Sequence, residues 1–492
     1  MSMVRVRIAP APSGFLHIGT AKTALFNWLF ARHTGGTFIL RLEDTDAERT
    51  DEAYVAAMCA GFKWLGIDWD EGPPFGGEPE KGDYGPYRQS QRRDLYRSAV
   101  TRLLDEGKAY KCFCTREELD AEREKARAAK GPLKYSGKCR NLAAADVAAK
   151  GDAPYAVRFK VPEGRTEVHD LVQGVVRTDN AEFDDFIIQK PNGDAVFHLA
   201  VVVDDGSMGI THVIRGDDHL TNAARHVMLF NALGYDLPQF AHLPMVLDER
   251  GKKYSKRDRG ANVLDWRDDG YLPEALVNYV ALLGWTPAED REVYARAELI
   301  DAFRIDRLGK SAAKFDLKKL QWLNGQHIRR LRVEALRDRL VPILERAGYD
   351  TASRPEAWLT QMTAICQEKL ATLNDIVDRT DFFFAEPTKY EDKAVRKQWQ
   401  SEDALDRMAA IRRILETVEA WSAEALKAEF ERECAALRIG LGKLIHPARL
   451  ALTGKSVGPG LFELTILLGR ETCLVRIDKA IKYIQNLPEV EG

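Results

Sequence analysis

A doubly wound parallel α/β sheet carrying an inserted α+β segment, followed by an all-helical carboxy-terminal region, is the architecture that this 492-residue sequence predicts. Three observations predict it. In the amino-terminal half, short β-branched apolar runs alternate with helical runs, the pattern of a parallel sheet covered by its crossover helices. From about Tyr110 to Gln189 the texture changes to three cysteines, a charged helix and short strands such as "YAVRFKV", which reads as an insertion. Beyond about residue 265 the strand signal fades. Ser401–Ile439 contains neither Gly nor Pro, while Leu405, Met408, Ile411, Leu415 and Val418 recur at helical spacing.

The elements follow in order. "VRVRIA" alternates Val4, Val6 and Ile8 with Arg5 and Arg7, a strand. Pro10, Pro12 and Gly14 break it. Apolar residues return at helical spacing from Ile18 (Ala21, Leu25, Trp28, Leu29), so His17 and Gly19 fall in the first turn of a helix. The amino terminus of such a helix suits an anion, because its free N–H groups and its dipole point there. "TFILRLED" is a second strand, and Thr45 and Glu48 have the spacing of a capping box for the helix after it. The loop "EGPPFGGEPEKGDYGP" leads to the helix "SQRRDLYRSAVTRLLDEG". After the insertion, "VFHLAVVVDDGSMGITHVIRGDDHL" reads as two apolar strands ending in polar residues, and "TNAARHVMLFNALGY" as a helix. In such a sheet ligands lie beyond the carboxyl ends of strands, where His17, Glu43 and Arg215 are expected.

Composition narrows the class. The chain is 45% apolar and 30% charged, enough for large cores in three or four domains. No uninterrupted apolar run is long enough to span a bilayer, and the amino terminus lacks a basic-plus-apolar signal pattern. Seven cysteines, an odd number, argue against a disulfide framework and for a reducing cytoplasm. A net charge of −3 means that a nucleic-acid partner would need a local basic patch. Two acid-free stretches offer one. Leu317–Val333 carries Lys318, Lys319, Arg329, Arg330 and Arg332 around Trp322. Cys434–Lys455 carries Arg438, Lys443, His446, Arg449 and Lys455.

"DERGKKYSKRDRG" places five Lys or Arg residues between Arg250 and Arg257, with glycines at 251 and 260. Most such runs are solvated loops. After a nucleotide-type sheet, the same run suits a triphosphate, because lysines can meet the charge that develops as pyrophosphate leaves.

At this point "HIGT" (17–20) resembles the HIGH signature of class I aminoacyl-tRNA synthetases, and "KYSKR" (253–257) their KMSKS signature. "RIAPAPSGFLHIG", "RLEDTD", "WLGIDWDEGP", "YRQSQR", "THVIRGDDHLTN", "DDGYLPEALVNYVALLGW" and "LQWLNGQHI" resemble, in order, strings of the bacterial glutamyl-tRNA synthetase family. "LGKLIHPARLALTG" and "GPGLFELTILLG" extend the similarity through the helical region. The resemblance implies a Rossmann-like catalytic domain at 1–109 and 190–250, an inserted acceptor-stem domain at 110–189 and a stem-contact helical region with the KMSKS-like loop at 251–325. It implies anticodon-binding helical domains at 326–390 and 391–492.

The resemblance also implies ATP-dependent activation of L-glutamate to glutamyl-adenylate, then transfer to the 3′ end of tRNA(Glu), by a cytoplasmic monomer with Mg²⁺ accompanying ATP. His17 and Gly19 would bind ATP, with Thr20 in place of the last signature histidine. Lys256 would contact the triphosphate, assisted by Lys253, Ser255 and Arg257. Arg7, Glu43 and Arg215 would bind glutamate, two cations and one anion for a dicarboxylate with one ammonium. Arg7 is expected at the side-chain carboxylate. Ala11 and Phe197 stand where the family usually has a serine and a tyrosine. Cys112, Cys114 and Cys139 resemble a zinc knob of some members. Asn141 stands at the family's histidine, and Tyr135 is the remaining candidate for a fourth ligand, so the set reads as a zinc site or its relic. Cys59, Cys366, Cys434 and Cys473 read as packing residues. A glutaminyl-tRNA synthetase, which ends in β-barrels, and a non-catalytic RNA-binding derivative are the alternatives.

Overall fold

The computed structural model describes residues 3–45, 50–130, 134–248, 250–252 and 262–487. They divide into two compact units, Met1–Arg267 with Leu276–Leu317, and Asp268–Ala275 with Lys318–Gly492.

The first unit is built on a six-stranded sheet. Its strands are β1 (Arg5–Ile8), β2 (Thr37–Leu40), β5 (Arg165–Asp170), β6 (Gly174–Asp179), β8 (His212–Gly216) and β9 (Gln239–Leu243), in the order β2-β1-β8-β9-β5-β6. Every neighbour pair is parallel except the β5–β6 hairpin. β2 is buried at all four positions, the continuous apolar run of a strand covered on both faces. From β1 the chain first crosses to β2 on one side and later returns to β8 on the other. The β1/β8 boundary is therefore the switch point, where connections leave a crevice at the carboxyl ends.

The helix α1 (Ile18–Thr34) is buried along most of its length and ends at Gly35 in the left-handed region, φ 66°. The helix α2 (Glu52–Leu65) begins later than the sequence suggests. Its cap is Asp51, whose side chain accepts from the Ala53 amide. The expected box partner Glu48 lies outside the described residues. The helix α3 (Arg93–Asp105) matches its expected run.

Two expectations are corrected. The run Phe197–Ser207 is not a strand but the helix α6, buried from Leu199 to Asp205. A short apolar run looks alike in a buried strand and a buried helix, and only the residues that it must reach separate the two. The insertion is also smaller than 110–189: Arg165–Asp179 forms β5 and β6, which extend the main sheet. What remains apart is a three-stranded antiparallel sheet of β3 (Ala109–Cys112), β4 (Ala156–Phe159) and β7 (Ile187–Gln189), with the polar helices α4 (Arg116–Ala128) and α5 (Ala144–Ala149). Val157, Phe159 and Ile188 of that sheet pack with Tyr96, Leu103, Leu199 and Val202, and with Leu229 of α7 (Leu220–Leu233).

The second unit is helical among its described residues, from Leu317–Arg330 to Arg470–Gln485. Leu336, Leu340, Ile376, Met408, Ile411, Leu444 and Ile477 share one core there. Cys366, Cys434 and Cys473 are buried in it, and Cys59 is buried in the first unit, as packing residues.

α6 delivers two adjacent buried acids. Asp205 takes both Arg7 (Nε–Oδ1 and Nη2–Oδ2, each 3.1 Å) and Arg41 (2.7 Å). Asp204 takes Arg92 (2.6 Å), Gln89 (2.8 Å) and Tyr96. Arginine remains charged in a protein, so removing one of these acids strands a buried cation. Asp205→Ala should therefore lower unfolding stability by about 3–5 kcal/mol in urea titration, whereas Glu431→Ala, in the exposed pair with Lys427, should cost under about 1 kcal/mol. Equal losses would contradict the burial argument.

Candidate active site

A cavity of about 440 Å³ opens at the switch point. It is lined by residues from the end of β1 (Arg7, Ala11), the start of α1 (His17, Gly19, Thr20), the chain after β2 (Glu43), α6 (Phe197, Val201) and the end of β8 (Arg215). The structure thus brings together every described residue that the sequence suggested for the two small substrates. Arg7 and Arg215 lie inside β1 and β8 and not beyond them. Lys253, Ser255, Lys256 and Arg257 lie outside the described residues.

His17 caps α1: its Nδ1 accepts from the Gly19 amide at 3.0 Å, so the proton of the neutral ring sits on Nε2. A Cβ at Gly19 would come 3.3 Å from that Nδ1, a tight contact to which the ring would have to yield. Residues 262 and 263 lie beside this cap. Asn262 pairs with His17, and the Val263 amide donates to the Leu16 carbonyl at 2.9 Å.

The two pocket arginines differ. Arg7 is 4% exposed and already engaged along its Nε–Nη2 edge by Asp205. Arg215 is 6% exposed and has no carboxylate within ion-pair distance among the described residues. It donates instead through Nε to His242 Nε2 (3.0 Å), through Nη1 to His226 Nδ1 (3.1 Å) and through Nη2 to the His219 carbonyl (3.4 Å). Burial and the neighbouring Arg7 charge pull its pKa down to about 10. The pocket therefore holds an under-neutralised cation, the environment that a substrate carboxylate relieves.

Glu43 is the opposite case. Burial pushes its pKa up to about 7, against the pull of Arg41 and Arg7. Its amide is tied to the Pro10 carbonyl at 3.0 Å, which fixes it over the turn after β1. Lys22 was not singled out in the sequence. Its ammonium is buried, donates to the Pro244 carbonyl at 2.7 Å, and is held by burial at a pKa of about 8. A lysine inside the apolar run "TAKTALFNW" was the available signal. Val201 was also missed, because its run was read as a strand.

A second cluster lies in the small sheet. Cys112, Cys114 and Cys139 have ligand atoms within 4.8 Å of one another. Tyr135 Oη sits among them, 3.5 Å from Cys112 Sγ and 3.7 Å from Cys114 Sγ, and Cys114 and Cys139 are 3.6 Å apart. Edges of roughly 3.5–3.8 Å are those of a tetrahedron with metal bonds of 2.0–2.3 Å. The donor set and its spacing fit zinc.

The basic stretches behave differently from each other. Lys318, Trp322, Arg329 and Arg330 are exposed on one helix, Trp322 by 45%. In the other stretch, Arg449 donates to the Pro459 carbonyl and Lys455 pairs with Asp381 at 2.8 Å, so part of that charge serves the fold.

The Glu43 shift gives a stability test. Its folded pKa lies above the ordinary carboxylate value of 4.5, so ionising it costs the folded state, and the cost grows as pH rises from about 4.5 to about 7. Glu43→Gln should gain stability relative to the parent across that window, on the order of 2 kcal/mol at the plateau, by urea denaturation at several pH values. A difference independent of pH would contradict the shift.

Comparison with known proteins gives the same frame. The family described as tRNA synthetases class I (E and Q), catalytic domain, matches residues 3–322, and an anticodon binding domain family matches residues 333–481. The chain is 44% identical to a glutamate–tRNA ligase of Moorella thermoacetica, over 99% of each chain. It is 43% identical to glutamate–tRNA ligase 2 of Thermoanaerobacter pseudethanolicus, over 99% of this chain and 100% of that one. The crystal structure of a glutamate tRNA ligase from Elizabethkingia meningosepticum in complex with its amino acid superposes with a TM-score of 0.90. That match has 33% identity and covers 98% of this chain and 100% of the other. With a switch-point cavity, a capped histidine signature and full-length relatives of this kind, the chain belongs to the glutamate–tRNA ligases, within the class I tRNA synthetases (E and Q).

Proposed function

We propose that this chain joins L-glutamate to the 3′ end of tRNA(Glu) in two steps, both at the switch-point cavity. The observation that carries the reading is a buried arginine, Arg215, facing the same cavity as Glu43 and the His17-capped start of α1. Glutamate binds with a carboxylate on Arg215 and its ammonium toward Glu43, which the ammonium holds ionised. Its α-carboxylate oxygen attacks the α-phosphorus of ATP, and pyrophosphate leaves. A hydroxyl of the terminal ribose then attacks the acyl carbon, and AMP leaves. The protein positions these groups and meets their charge. His17 Nε2–H and Thr20 donate to phosphate oxygens, Gly19 leaves room for adenine, and Lys256 with Lys253, Ser255 and Arg257 meets the leaving pyrophosphate. Mg²⁺ accompanies the triphosphate.

Arg7 is the less suited of the two arginines to take a new carboxylate, because Asp205 already holds its Nε–Nη2 edge and places a negative charge beside it. Ala11 and Phe197 leave the pocket wall there without hydroxyls. Zinc at Cys112, Cys114, Cys139 and Tyr135 would stiffen the small sheet that faces the acceptor stem. Residues 326–390 and 391–492 contact the anticodon, and Trp322 with its basic neighbours contacts RNA backbone. All seven cysteines are free, in keeping with a cytoplasmic enzyme, and we read it as a monomer. No described helix is long and apolar enough to cross a membrane.

Pyrophosphate exchange into ATP, with and without tRNA(Glu), tests the reading. Exchange should require glutamate and tRNA together; robust exchange without RNA would contradict the family's coupling. Lys256→Ala should lower single-turnover adenylate formation by about 10²–10³-fold while the Kd for tRNA changes by less than about twofold. Near-parental adenylate formation would remove Lys256 from the site.

A further inference from the structure

Arg215 is surrounded by histidines, and the donors and acceptors around it leave no freedom in their protonation. A guanidinium only donates. His242 Nε2, 3.0 Å from Arg215 Nε, must therefore accept, so the proton of this ring is on Nδ1, pointing at Asp170 Oδ2 at 2.6 Å. Asp170 is an ionised acceptor. Its Oδ1 also takes the amides of Val172 (2.9 Å) and Gln173 (2.7 Å), and burial is outweighed by these donors, which hold its pKa down. On the other side His226 Nδ1 accepts from Arg215 Nη1, so its proton is on Nε2, donated to His198 Nδ1 at 3.1 Å. His242 and His226 are 0% and 1% exposed.

Three of the five guanidinium hydrogens are spent on these partners and the His219 carbonyl. One hydrogen is left on each terminal nitrogen, the pair that a carboxylate takes in a fork. The cluster satisfies Arg215 without neutralising it. A carboxylate in place of His242 would have given the same hydrogen bond and set a negative charge directly on Arg215, as Asp205 does on Arg7.

We propose that Asp170 and His242 are positioning residues for substrate recognition: ionised Asp170 fixes the Nδ1–H tautomer of His242, and His242 holds Arg215 by Nε so that both terminal nitrogens face the glutamate carboxylate. The proposal rests on the reading of Arg215 as that carboxylate's receptor.

Three substitutions in the full chain test it, with KM for glutamate, KM for ATP and kcat measured by tRNA-dependent pyrophosphate exchange. In His242→Asn the amide can still meet Asp170 but cannot reach Arg215. KM for glutamate should rise at least tenfold, with KM for ATP within about twofold. In His242→Gln the amide oxygen can stand in for Nε2, and KM for glutamate should return to within about threefold of the parent. In Asp170→Asn the Val172 and Gln173 amides select Oδ1 as the carbonyl oxygen, so the NH₂ faces the His242 ring, and the His242 backbone amide, which meets Oδ2 at 3.1 Å and Oδ1 at 3.3 Å in the parent, keeps only the Oδ1 acceptor. The ring then flips to the Nε2–H tautomer and turns a hydrogen on Arg215. ¹⁵N NMR of the imidazole should show that flip, and KM for glutamate should rise as in His242→Asn. Should His242→Asn lack a cooperative unfolding transition, Asp170→Asn decides alone. The proposal is overturned if the Asn and Gln variants at 242 raise KM equally, if a folded His242→Asn leaves it unchanged, or if the tautomer flips in Asp170→Asn without a change in KM. Arg215→Gln separates the two levels. An unchanged KM for glutamate there would sink the reading of Arg215 itself; a raised KM there with a normal His242→Asn would sink the positioning role only.

Discussion

Asp204 and Asp205, neighbours in α6 and both out of reach of water, are the point on which the first unit depends. Three buried arginines converge on them: Arg7 from β1, Arg41 from the end of β2, and Arg92 from the start of α3. None of the three can shed its charge, and each would be expensive to bury alone. The two acids thus pin two strands and two helices at one place. They lie on the same helix as Phe197 and Val201, which line the cavity.

That cluster divides the labour among charges next to it. Arg7 shares the Asp205 carboxylate with Arg41. Arg215, one strand away across the β1/β8 boundary, receives only neutral acceptors and keeps its field. Glu43 faces both and sits close to losing its own charge at neutral pH. In the proposed reading, a cavity in which Arg215 and Lys22 both bond neutral acceptors, beside one reluctant anion, favours a zwitterion with an added carboxylate, since the protein's fixed dipoles and charges do not have to reorganise when it enters.

Much of this was legible in the sequence. The βα turn with His17 and Gly19, Glu43 after β2, Arg215 at the end of β8 and the helical carboxy-terminal region all follow from spacing and punctuation, and the observed elements agree. What was not legible is long-range pairing. "VFHLAVVVDD" has the look of a strand because periodicity in a short apolar run carries no information about Arg7, 198 residues away from Asp205. The same limit hid Lys22, whose partner is the Pro244 carbonyl, and the histidines around Arg215, which come from α6, α7 and β9. Tyr135 is a fourth-ligand candidate by sequence only because a histidine is missing, and its placement among three sulfurs is what recommends it. β5 and β6 were assigned to the insertion because sequence texture does not say which sheet an edge hairpin joins.

The central claim is that the arginine without a carboxylate partner, Arg215, is the one that receives glutamate. A crystal structure of the chain with a non-hydrolysable glutamyl-adenylate analogue tests it most directly. The account predicts a glutamyl oxygen about 2.7–3.0 Å from both terminal nitrogens of Arg215, with the Arg7–Asp205 and Arg215–His242 bonds intact. A glutamyl group held by an Arg7 released from Asp205, with Arg215 untouched, would contradict it.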